Sequence, residues 1–207
     1  MKYGKLNLGE IEALVNKLGG MKIVDGILDG SLEFQVIKPE KRWREEDGIL
    51  HLTLAPSDGT TGPEWINRLK DDGHKVSDYA QQVLNSDDFK PTKGVTYNLA
   101  IIKGEKFEDS HRITKNIRKM ADNKGYIKPN AEVACLIREQ FSNEELEEMG
   151  LIWIVAMHEP IKDSDGDPRL LRAGRNGGGW LDGCWGKPDA RWYRGDSFAF
   201  VASQVST

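Results

Sequence analysis

Two cysteines, Cys135 and Cys184, are all the thiol chemistry this chain carries, and they lie far apart in segments of different character. That placement excludes a disulfide framework and a CxxC metal or redox motif, and the expected state of both is the reduced thiol of a cytoplasmic protein. No apolar run approaches the roughly 18 to 20 residues needed to cross a bilayer, and Met1 to Leu8 lacks the apolar centre of a signal peptide. Neither a membrane span nor a signal-directed export route is expected. Positive charge is not in excess: the formal charge is −4 and the isoelectric point is near 5.7, which argues against general nucleic-acid binding but leaves a local Arg cluster free to meet a carboxylate or phosphate. No GxSxG, HExxH, Walker or dinucleotide motif occurs, and His51, His74 and His111 are scattered without ligand spacing. No metal or cofactor is implied.

At 207 residues the chain has room for one domain with a small appendage. Ile11, Leu14, Val15 and Leu18 recur at helical spacing before Gly19-Gly20. Met21 to Leu28 gives another apolar face, and Leu32, Phe34 and Val36 alternate as a strand. The charged run over residues 38–47 reads as an exposed linker, so residues 1–47 form a small N-terminal helical module and its linker, and 48–207 the main domain. That domain opens with a strand from Ile49 to Leu54. Pro63 starts a helix with Trp65, Ile66 and Leu69 on one face, and Ser77 recaps one carrying Tyr79, Val83 and Leu84. Val95 to Ile102 suits a central strand. Asp109 or Ser110 is the expected cap of a helix with Ile113, Ile117 and Met120 inward; Asn130 starts another with Val133, Ala134, Ile137 and Phe141. Ser142 and Glu145 stand at capping-box spacing. Leu151 to Met157 reads as the most buried strand, and the FAFVAS run as the last. The order predicts an α+β domain.

Composition changes abruptly from Arg169 to Phe200. This tail holds seven Gly, five Arg and three Trp, one Lys, and no Glu, Gln, Met, Ile or Thr. Large aromatics and guanidinium groups set among small residues have the make-up of a contact surface. Trp180 and Trp192 are flanked as strand residues that turn an aromatic inward, whereas Trp185, between Cys184 and Gly186, is expected to be exposed. Competing chemistry can be drawn: a hydrolase or transferase using His158, just after the buried strand, with Cys184 or the Asp163 to Asp167 cluster. Asp163, Asp165 and Asp167 alternate as in calcium loops, but Gly166 and Pro168 break that pattern and an acidic turn is expected. GRNGGG, residues 174–179, lacks the Lys-Ser/Thr and the helix of a phosphate loop.

Scaffold residues Trp180-Leu181, Pro188, Arg191-Trp192 and Phe198-Ala199-Phe200-Val201 are interleaved with positions drawn from Gly, Asp, Asn, Ala, Tyr, Ser, Cys and Arg. This pattern resembles the variable region of diversity-generating retroelement target proteins, in which template adenines are copied with errors. Asn codons of the AAY type then become codons for small, polar and aromatic residues, but never for Lys, Glu, Gln, Met or Trp. Lys187 and Trp185 depart from that set and would be template-encoded. The resemblance covers about residues 49–207, including PNAEVACLIREQF and IWIVAMHEPIKDSDGDP, which are similar to C-terminal domains from small-genome bacteria of the candidate phyla. It implies a C-type-lectin-like fold, with two helices and mixed sheets, whose rigid C-terminal β scaffold displays a variable region of about 169–200. HEPIKD shares only Glu159-Pro160 with the calcium-dependent sugar motifs of true lectins, so that mechanism is not implied. The expected function is noncatalytic recognition of a macromolecule, a protein above all. Arg172, Trp185 and Tyr193 would anchor it; Gly174, Asn176, Asp182, Gly183, Cys184, Asp189, Ala190, Gly195, Asp196 and Ser197 would set shape and polarity.

Overall fold

The computed structural model describes residues 7–33 and 41–202. Contacts divide the chain into two units, Met1–Glu40 and Lys41–Thr207. In the first, α1 (Leu8–Leu18) begins at Asn7, whose side chain accepts from Glu10 N while the Glu10 carboxylate accepts from Asn7 N. These bonds satisfy two of the N–H groups that every helix start leaves open. Gly19, at φ 100°, ends it in the left-handed conformation that glycine adopts without strain, and α2 (Met21–Leu28) follows. Of the alternating strand expected after it, Leu32 lies in a bend, its N–H reaching Gly26 O at 2.8 Å. Phe34 and Val36 lie outside the described residues.

The second unit is α+β. Its strands are β1 (Trp43–Glu46), β2 (Ile49–Thr53), β3 (Lys75–Val76), β4 (Asn98–Lys103), β5 (Trp153–Ala156), β6 (Ile161–Lys162), β7 (Pro168–Gly174), β8 (Trp180–Trp185) and β9 (Asp196–Val201). They form one mixed sheet in the order β1-β2-β4-β9-β5-β7-β8-β3, with β6 beside β7. The helices are α3 (Gly62–Asp71), α4 (Asp78–Leu84), α5 (Thr114–Asn123), α6 (Val133–Gln140) and α7 (Asn143–Glu148). Part of the run read as linker is therefore strand β1, joined to β2 by Asp47 and Gly48, both at positive φ, the geometry of a two-residue hairpin turn.

Strand alternation sends neighbouring side chains to opposite faces, and both faces are covered. Leu99, Ile101, Ile154, Leu171, Ala173 and Leu181 pack with Trp65, Val83 and Ile137 of the helices on one side. Ile102, Val155, Leu170, Phe198 and Phe200 pack with Ile117, Ala121 and Trp192 on the other. Leu170 and Leu171 therefore belong to different cores, and β9, parallel to β5 and antiparallel to β4, is buried at every residue. Central strands covered on both sides read as continuous apolar runs.

Three local expectations are corrected. Neither Asp109 nor Ser110 caps α5, which starts at Thr114; Ile113 is extended (φ −125°) and bridges Arg191. Tyr79 does not turn inward but is 42 % exposed, because its ring is taken up by Arg169. Trp180 is half-buried rather than core, with Lys75 Nζ 5.1 Å from its ring.

Candidate binding hollow

The β7–β8 hairpin supplies the base of the site. Its register sets Arg172 opposite Asp182 and Leu170 opposite Cys184. Arg172 donates from Nε and Nη2 to Asp182 Oδ2 at 2.9 and 2.7 Å, and its guanidinium lies 4.1 Å from the centre of the Trp153 ring. After Trp185 the chain leaves the sheet as a strap from Gly186 to Gly195. Main-chain bonds tie it to the start of α5: Lys115 N to Pro188 O at 2.9 Å, Thr114 N to Ala190 O at 3.1 Å and Trp192 N to Arg112 O at 3.1 Å.

Trp192 is the strap's inward anchor. Its ring is buried edge-on to Phe198, centroids 5.6 Å apart, and its Nε1–H donates to Thr114 Oγ1 at 3.0 Å. Burial of so large a ring with its one polar group satisfied is the arrangement that stabilises most. Arg112, itself buried, secures the neighbouring loop by donating to Gly104 O and Phe107 O. The strap returns to β9 through a turn in which Asp196 Oδ2 accepts from Tyr193 N at 2.8 Å.

Between hairpin and strap lies a hollow of about 520 Å³. Half-buried Arg172 and Cys184 and buried Asp196 reach its deeper part, while Trp185, Asp189 and Tyr193 are exposed around it and Ala190 is half-buried. Trp185 is 44 % and Tyr193 81 % exposed. Burial pushes the Asp196 carboxyl up from its ordinary range, partly offset by the Tyr193 N–H and by Arg172.

Trp185 is also built into the frame. Arg169, only 4 % exposed, lies between two rings, 3.8 Å from the centre of Tyr79 and 4.0 Å from that of Trp185. Its Nε donates to Asp163 Oδ2 at 2.7 Å. Lys187 Nζ is 4.4 Å from the Trp185 ring centre and 3.3 Å from Asp167 Oδ1. Two cations therefore hold this ring.

The expected display positions do not all reach this surface. Asn176 is exposed in the β7–β8 turn and Gly195 at the end of the strap, but neither lines the hollow. Four are corrected because they are buried rather than displayed: Gly174, Gly183 and Ser197, which do not line the hollow, and Asp196, which lines it as a buried group. The ring of Trp153 fills the space a Gly174 side chain would need. A Cβ on Gly183 would lie 2.7 Å from Tyr79 Cβ and 2.9 Å from Ala80 N. Ser197 is held inside the sheet by β4 and β5 on either side; Asp196 pairs with Trp153 of β5 alone, and its carboxylate is taken up by the Tyr193 N–H. Lys187, Arg191 and Trp192 line the hollow although composition did not nominate them. Arg191 had a readable signal: it precedes an inward Trp in extended chain, so its side chain turns outward.

The catalytic alternative is not assembled. His158 is buried; its Nε2 accepts from Leu171 N at 2.9 Å and its Nδ1 contacts Glu159 O at 2.6 Å, so both ring nitrogens are engaged. Burial drives its pKa down to about 4. Cys184 Sγ donates to Leu170 O at 3.4 Å, and burial pushes that thiol up to about 12, the reverse of an activated nucleophile. Asp163 is committed as well: Oδ1 accepts from Asp165 N and Asp167 N at 3.0 and 2.9 Å, and Oδ2 from Arg169. His158 and Cys184 line different hollows. Among the described residues no group of three or more His, Cys, Asp and Glu is placed to hold a metal ion, and no helix is long and apolar enough to cross a membrane.

No protein-family model matches this chain, and no curated protein or solved structure matches it either.

Proposed function

We propose that this chain is a noncatalytic recognition protein of C-type-lectin-like architecture, whose hollow binds a macromolecular ligand, a protein, through a surface diversified by a retroelement. The observation that carries the reading is the division of labour along one short stretch. Trp192, Phe198 and Phe200 are buried and fix the backbone, while Asp189, Arg191, Tyr193 and Arg194 project from it into solvent. A surface arranged in this way changes its side chains without touching the core. Aromatic and guanidinium groups at a concave, partly desolvated site are the types that dominate binding energy.

Two further features support it. Outside the presumed scaffold, the two residues that adenine substitution in AAY codons cannot reach, Trp185 and Lys187, are tied to the frame through Arg169 and Asp167. Helices α3 to α7 all precede β5, and the β7, β8 and β9 strands follow it, in keeping with the order of helices first and short strands last that the resemblance implies. Burial of Gly174, Gly183, Asp196 and Ser197 narrows the display to the strap and the adjacent hairpin ends.

The test is genetic. Sequencing the DNA around the coding region should reveal a near-identical copy of the part encoding residues 169–200, differing at template adenines and lying beside a reverse transcriptase. A flanking region with neither feature overturns the diversification reading.

A further inference from the structure

We infer that the hollow takes an acidic segment of a protein partner, seating an Asp or Glu carboxylate against Arg172 and the basic strap. This rests on the proposed recognition role and adds the chemistry of the ligand. Two independent features carry it.

The first is a donor without an acceptor. Arg172 commits Nε and Nη2 to Asp182. Its Nη1 has only Asp196 Oδ1 nearby, at 4.0 Å, beyond hydrogen-bonding distance, and makes no hydrogen bond among the described residues. Arg172 lines the hollow with its side chain 22 % exposed, and Nη1 is its donor not already committed to Asp182. A charge-assisted bond of this kind is roughly twice as strong as a neutral one.

The second is the sign of the rim. The strap holds Lys187, Arg191 and Arg194 against one carboxylate, Asp189, in a chain whose net charge is −4. Lys115, whose backbone is bonded to the strap at Pro188 O, adds a fourth exposed cation. Among the described residues Lys115, Arg191 and Arg194 form no ion pair, and only Lys187 has a partner, Asp167 at 3.3 Å. Exposed like charges grouped on one segment favour a partner of opposite sign, and such complementarity sets orientation and association rate. The exposed rings of Trp185 and Tyr193 beside these cations give a partner apolar contact around its carboxylate.

A nucleic-acid backbone fits less well. Every nucleotide of a nucleic acid brings a phosphate past Asp182, Asp189 and Asp196, which lie on or beside the hollow, whereas a protein segment needs to bring only one carboxylate, to Arg172.

The experiment titrates the full-length protein with three fluorescently labelled probes: a Glu-rich peptide containing Tyr, the same peptide with Lys replacing Glu, and a single-stranded oligonucleotide of matching charge. The Glu peptide should bind saturably, weaken with added salt, and lose at least roughly tenfold in affinity in a Lys115→Glu/Arg191→Glu/Arg194→Glu variant. A melting curve establishes that the variant folds; if it does not, Arg191→Ala and Arg194→Ala singly should each weaken binding measurably. Preference for the Lys peptide or the oligonucleotide, no saturable Glu-peptide binding, or binding unaffected by these substitutions overturns the inference. Where the Lys peptide or oligonucleotide binds and Tyr193→Ala abolishes that binding, the ligand chemistry is wrong but the hollow stands as the recognition surface.

Discussion

Trp153 and Gly174 face each other across the β5–β7 pair, and the indole ring occupies the volume that any side chain at 174 would enter. The same ring stacks on Arg172 at 4.1 Å. A glycine that composition assigns to the display surface is thus the seat of an aromatic that supports the hollow. Gly174→Ala should therefore destabilise the protein by about 1 to 3 kcal/mol, the usual result of forcing volume into a packed site. Asn176→Ala, exposed in the adjoining turn, should change stability by no more than about 0.5 kcal/mol. Denaturant melts of the two variants check the contrast.

Adjacent residues of the strap should separate folding from binding. Trp192→Ala removes a buried ring and its bond to Thr114 and should cost roughly 3 to 5 kcal/mol of stability. Tyr193→Ala, 81 % exposed in the wild type, should fold normally within about 0.5 kcal/mol while losing ligand affinity. A Tyr193→Ala protein that melts like Trp192→Ala would mean that the strap is core rather than display.

Calcium should leave the melting temperature unchanged, because the Asp163 carboxylate is already occupied by Asp165 N, Asp167 N and Arg169. Asp163→Asn, by contrast, leaves the Arg169 guanidinium buried without its counter-charge and should lower the melting temperature by on the order of 10 °C. A thermal scan with and without millimolar calcium, on wild type and variant, reads both effects.

Stability should fall as the medium is acidified from pH 6.5 towards 4. His158 has its pKa depressed by burial to about 4, against 6.5 when exposed. Between those values the unfolded chain binds the proton that the folded chain refuses, so unfolding is favoured as pH drops. The contribution is complete above pH 6.5 and is lost as pH passes down through about 4. His158→Gln should be less stable at pH 7 and show a shallower loss over this window than wild type, as followed by denaturant unfolding at several pH values.

Neither thiol should alkylate readily in the native state. Burial holds the Cys184 thiol up near 12, and Cys135, fully buried, is raised well above its ordinary value by the same cause. Iodoacetamide at pH 8 should label both only after unfolding, which mass spectrometry resolves site by site.

Much of the architecture was legible because short-range rules govern it. The capping pair Ser142 with Glu145, the helical spacing through Trp65, Ile66 and Leu69, and the unbroken apolar run of β5 each follow from neighbouring residues alone. The inward turn of Trp192 was legible for the same reason. The start of α5 was not: a long-range bridge between Ile113 and Arg191 overrides the polar residues that would otherwise cap it.

By itself the sequence determined that the chain is an α+β protein whose tail differs from the rest in chemistry, since periodicity and composition are local properties. Tertiary structure decided which tail residues meet solvent. Ser197 looks like a surface residue, yet it sits inside because β9 lies between β4 and β5, and Asp196 is buried where it pairs with Trp153 of β5. Trp185 looks free, yet it shares Arg169 with Tyr79 of a helix far earlier in the chain. The physical reason is the same in both cases: burial depends on what covers a strand, and the covering element is distant in sequence.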